Sequence, residues 1–101
     1  MNISSFFPGR IRLRDAVLKD AEISAALRSA IEWHEAVKNI EHNLQTGSVL
    51  IEYTPSKLPI EKLTVLQSEL LELKGLCDRY NGNNRQPIFN KISELKERLQ
   101  S

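Results

Sequence analysis

The chain has 101 residues, a formal net charge of +1, 41% hydrophobic and 27% charged residues, and a single cysteine. That length builds one modest core, and the apolar fraction excludes general disorder. The near-neutral balance gives no electrostatic case for nucleic acid or an anionic membrane, and one cysteine permits neither an internal disulfide nor a cysteine-based zinc framework.

Met1 to Gly9 lacks the long apolar core of a secretory signal, and no stretch approaches the ~20 apolar residues of a membrane span. With the lone cysteine, this leads us to expect a soluble, cytoplasmic protein without membrane insertion. Pro8-Gly9 marks the start of the first expected strand. Arg10-Ile11-Arg12-Leu13-Arg14 alternates charge and branched apolar residues, so Ile11 and Leu13 share one face and the three arginines the other.

Asp20 offers an N-cap, and Ile23, Ala26, Leu27, Ala30 and Ile31 recur at helical spacing, predicting a helix that ends near His34. A second strand is expected over Val37 to Leu44, with Ile40, His42 and Leu44 facing inward. Thr46-Gly47-Ser48 forms a turn, and Val49 to Tyr53 is the returning strand, closed by Pro55. The charge is segregated: residues 1–19 carry +3, residues 20–56 carry −4 and residues 57–101 carry +2.

Pro59 opens a long helix whose Leu63, Leu66, Leu70, Leu73, Cys77 and Tyr80 repeat at spacings of three and four, a seam like that of a coiled coil. Asn81-Gly82-Asn83-Asn84 breaks it. After Pro87, Ile88, Ile92, Leu95 and Leu99 predict a last helix, with a short strand over Pro87 to Ile92 left open. The order strand, helix, hairpin, helix is that of an α+β, ferredoxin-like βαββα two-layer sandwich. Its fourth strand is expected to be replaced by the long helix and a C-terminal helix.

Pro8-Gly9-Arg10-Ile11-Arg12-Leu13-Arg14, then Asn43 before Thr46-Gly47-Ser48-Val49-Leu50-Ile51, then Tyr53-Thr54-Pro55, together resemble the heavy-metal-associated (HMA) superfamily over about residues 6–66. The resemblance implies a ferredoxin-type domain over 1–80, with 81–101 as a helical extension. It also implies a link to metal homeostasis or to P-type metal-transport ATPases. Metal-binding members carry Cys-x-x-Cys between the first strand and first helix, where thiolates hold Cu(I) or Zn(II). Here that loop reads Asp15-Ala16-Val17-Leu18-Lys19-Asp20, without cysteine, histidine or methionine. No metal ligand carries over from the family motif, and no cofactor is expected.

The sequence therefore leads to a non-enzymatic HMA-like adaptor or regulatory domain that binds a protein partner or itself. Its expected contacts are Arg10, Arg12 and Arg14 on the sheet, and Leu70, Leu73, Leu95 and Leu99 on the C-terminal helices. If the fourth strand is missing, the arginine strand lies at the sheet edge and its charges discourage strand pairing. The alternative is an accessory protein that holds a metal or metal-containing cofactor through His34, His42 or Cys77. For each of these three the ordinary structural roles weigh more: a helix-end cap for His34, a hydrogen-bonded core-edge imidazole for His42 and a buried small hydrophobe for Cys77. RNA binding is not expected, because the outward parity of the returning strand offers Leu50 and no aromatic.

Overall fold

The computed structural model describes residues 2–7, 9–80 and 85–100. Strands β1 (Asn2–Phe7), β2 (Arg10–Arg14), β3 (Val37–Asn43) and β4 (Ser48–Tyr53) form one antiparallel sheet in the order β1-β2-β4-β3. Alternation in β2 does what period two requires: Ile11 and Leu13 are fully buried and the three arginines are exposed. On the same inner face Ile40, Val49, Ile51 and Tyr53 complete the sheet's share of the core.

The strand before Pro8-Gly9 was not expected. β1 turns at Gly9, whose φ of +100° suits glycine, and pairs antiparallel with β2, Ile3 against Leu13 and Ser4 against Arg12. It takes the position beside the first core strand that a closing strand occupies in a βαββαβ sandwich. The arginine strand is consequently interior, flanked by β1 and β4, and the edge-protection reading of its charges does not hold. The C-terminal segment is helical in place of that closing strand, as the sequence predicts.

Helix α1 (Ala21–Glu32) starts where Asp20 Oδ1 accepts from the Glu22 and Ile23 amides at 3.0 and 3.3 Å, and ends two residues before His34. Helix α2 (Ile60–Asp78) follows Pro59, which stands at the cap position and whose carbonyl accepts from Lys62 and Leu63. Helix α3 (Arg85–Gln100) takes up Pro87 in its first turn, where the missing amide breaks no helical bond, so the Pro87–Ile92 alternative resolves to helix. The break assigned to Asn81–Asn84 lies outside the described residues.

The helical seam turns inward. Leu66, Leu70, Leu73 and Cys77 of α2 and Ile88, Ile92, Leu95 and Leu99 of α3 join the same core cluster as the sheet and α1. Ile60 and Leu71 of α2 lie outside this packing and are exposed. A polar clamp locks α3 onto α2. Glu69 is 1% exposed, with Lys91 Nζ 2.9 Å from its carboxylate and Arg98 donating to the other oxygen. Burial alone would raise the Glu69 pKa, but hydrogen bonds from Lys91 and Arg98 outweigh it and hold the group below its ordinary value. At its other end α3 is tied to α1, with Arg85 Nη2 3.0 Å from Asp20 Oδ2.

Candidate functional site: the loop after β2 and the open face of the sheet

The loop Asp15–Asp20 is closed by its own sequence. Asp15 donates its amide to the Gly47 carbonyl at 2.9 Å, and its side chain accepts from Val17 N at 2.8 Å, capping a 3-10 turn over Ala16–Lys19. Val17 and Leu18 are buried, and Ser24 Oγ donates to the Leu18 carbonyl at 2.6 Å. Apolar side chains thus close this loop and turn it toward the core. Gly47, at φ +67°, lets the β3–β4 turn press against Asp15. No soft or imidazole donor lies in this loop, so it offers no chemistry to a thiophilic ion.

His34 Nδ1 accepts from the Ala36 amide at 3.1 Å, which closes the chain after α1. His42 is half-buried on the inner side of β3, and its Nε2 has no partner among the described residues. Burial, reinforced by Arg28 and partly opposed by Glu32, lowers its pKa below 6.5, so the imidazole is neutral at pH 7. Cys77 lies inside α2, where burial above all, then Asp15, pushes its thiol up to about 12. It is an un-ionised, inert thiol at neutral pH.

These three residues do not assemble into a shared ligand set. Among the described residues, one group of three potential ligands converges within 4.8 Å, and it is Glu69, Glu72 and Glu94. Lys91 already occupies its centre, pairing with all three carboxylates. The Lys91 pKa is correspondingly held above its ordinary value: burial would lower it, and hydrogen bonds to Glu72, Glu69 and Glu94 prevail. The cluster is a helix–helix clamp.

The open face of the sheet is different. Arg10, Arg12 and Arg14 stand opposite Glu52, Leu50 and Ser48 of β4, and beyond these lie Asn39, Glu41 and Asn43 of β3. None of the three guanidiniums makes a hydrogen bond or ion pair with a described residue, whereas Arg28, Arg85 and Arg98 are each ion-paired. The acids of the face are turned elsewhere: Asn39 Nδ2 donates to Glu41 at 3.2 Å and to Glu52 at 3.5 Å. Glu52 stands directly across from Arg10 without forming an ion pair with it.

Between Arg12 and Arg14 on one side and the Asn43–Ser48 turn on the other lies an open cleft of about 370 Å³. Asn43 Oδ1 shapes the turn by accepting from the Gln45 and Thr46 amides, and Thr46 Oγ1 lies 2.8 Å from Ser48 Oγ. The sequence reading missed this polar wall, although the outward parity of Asn43 and Ser48 carried the signal. It also placed Leu70, Leu73, Leu95 and Leu99 at an interface. All four are at most 4% exposed, because α2 and α3 cover the sheet and each other, so they present no docking surface in the folded chain.

A family model described as heavy metal associated domain 2 matches residues 1–101, including the helices beyond the 6–66 span of the motifs. No curated protein and no solved structure shows a significant match. Among the described residues, no helix is long and apolar enough to cross a membrane.

Proposed function

Since the chain belongs to the heavy metal associated domain 2 family, we propose that it is a non-enzymatic adaptor or regulatory domain of a metal-handling system, binding a protein partner through the open face of its sheet. The observation that carries this reading is the contrast between two surfaces. The loop after β2 is plugged by Val17 and Leu18, while the adjoining face holds three arginines without partners among the described residues. Charged side chains are costly to leave idle only when buried, so exposure alone is neutral; a row of such forks beside a polar cleft supports reading this face as a recognition surface. A binding role rather than catalysis is further supported by the titratable groups: Cys77 is a neutral buried thiol, His34 holds a backbone amide and His42 Nε2 has no hydrogen-bond partner among the described residues.

The partner class that the family suggests is a metal-transport ATPase. Surface plasmon resonance of the full chain over immobilised soluble domains of the metal-transport ATPases of the same genome tests this. Saturable binding is expected, with the same affinity in the presence and absence of copper and zinc chelators. Absence of saturable binding to every such domain, or binding that vanishes with chelator, overturns the reading.

A further inference from the structure

Two arginines separated by one residue on a strand stand about 6.7 Å apart, because the rise per residue is about 3.3–3.4 Å. Carboxylates on alternate residues of any extended peptide have the same spacing. Arg12 and Arg14 share one face at that interval, neither is neutralised by a described residue, and both border the cleft. We propose that this cleft binds an extended acidic segment of the partner, with carboxylates on alternate residues seated on the Arg12 and Arg14 guanidiniums. The inference rests on the adaptor reading above and specifies the chemistry of its partner.

The walls of the cleft fit such a segment better than a lone oxyanion. A volume of about 370 Å³ lies in the range of roughly 300–1,000 Å³ typical of clefts for larger ligands, well beyond one phosphate. Asn43, Thr46 and Ser48 line the side opposite the arginines and supply amide and hydroxyl groups for a peptide backbone. Glu41 also borders the cleft, and its charge repels a carboxylate that strays from β2. This makes the register one-sided: acids over β2, backbone toward the turn. Arginine forks bind carboxylates bidentately, which lysine does not do, so the site discriminates by geometry as well as charge.

Isothermal titration calorimetry of the full chain at low ionic strength tests the proposal. Three probes are used: a blocked peptide with two glutamates at alternate positions, a peptide of the same composition with its two glutamates adjacent, and phosphatidylcholine vesicles carrying about one-third phosphatidylserine. The alternating peptide is expected to bind at least about tenfold more tightly than the contiguous one. Arg12→Glu with Arg14→Glu should abolish that binding while leaving the thermal unfolding midpoint unchanged within a few degrees. Arg12→Lys with Arg14→Lys should retain part of it, since charge survives and the fork does not.

Equal binding of the two peptides, binding that survives the double charge reversal, or binding of the vesicles in preference to the peptide overturns the proposal. The adaptor reading fails separately. If the ATPase domain still binds while the alternating peptide does not, the partner chemistry is wrong and the adaptor role stands. If neither binds, both fall.

Discussion

Removal of residues 85–100 is expected to abolish the cooperative unfolding transition of the chain. Ile88, Ile92, Leu95 and Leu99 are each at most 4% exposed, and all belong to the core shared with β2, β4 and α1. At roughly 1.5–3 kcal/mol per fully buried aliphatic side chain, their loss removes about 6–12 kcal/mol. The whole stability of a small domain is only about 5–15 kcal/mol. The truncation also strips Lys91 and Arg98 from Glu69, leaving a buried carboxylate beside α2 without its cations. Circular dichroism of the truncated chain should show no sigmoidal melt, and a hydrophobic dye should bind strongly. A truncated chain that melts cooperatively and still binds its partner would show that α3 is an appendage to the core rather than part of it.

Gly47→Ala should be the most damaging single substitution in the turns. A methyl group there would overlap the Asp15 carbonyl oxygen, which is backbone and cannot swing aside, and would press on Lys19 Cγ at 3.2 Å. The residue also sits at φ +67°, a conformation that costs a side-chain-bearing residue about 1–2 kcal/mol. Displacing the Asp15 backbone further weakens the Asp15–Gly47 hydrogen bond and the cap on Val17. Together these give a loss of about 3 kcal/mol, within the range of known severe backbone effects. For a domain of this size that lowers the melting temperature by more than ~10 °C. Gly75→Ala is the internal control. Nothing lies within 4 Å of its added methyl in α2, so that variant should gain about 0.5–1 kcal/mol from helix propensity. Equal melting temperatures for the two variants would remove the claim that Gly47 pins the closed loop.

What the sequence made legible follows from how local each signal is. The Arg10–Arg14 alternation, the Asp20 cap and the Thr46-Gly47-Ser48 turn involve residues within a few positions of one another, and each appears in the structure at or next to its expected place. Strand β1 was not legible. Asn2-Ile3-Ser4-Ser5-Phe6-Phe7 has no period-two pattern, and its extended form comes from pairing with β2 across the Gly9 turn. The leucine stripes of α2 and α3 announced helices with an apolar face, but periodicity says that a face is buried and never against what. Leu70, Leu73, Leu95 and Leu99 were therefore open to either an interface or the core, and only the fold assigns them to the core.

The site divides the same way. That the loop Asp15–Asp20 lacks cysteine, histidine and methionine can be read from residue identity, whereas the burial of Val17 and Leu18 in a 3-10 turn cannot. The outward direction of Arg10, Arg12 and Arg14 follows from parity. Their lack of partners among the described residues does not, since Glu41 and Glu52 accept instead from Asn39, in an arrangement spread over two strands and a register shift between Val37 and Asn39.

The central claim, that recognition occurs on the open sheet face and not in the loop or on the helices, is tested most directly by amide chemical-shift mapping. The labelled full chain is titrated with the ATPase domain that binds it. The account predicts shifts concentrated at residues 10–14 and 43–50, with α2, α3 and residues 15–20 unperturbed beyond their nearest neighbours. Shifts confined to the outer surface of α2 and α3, or centred on residues 15–20, would contradict it.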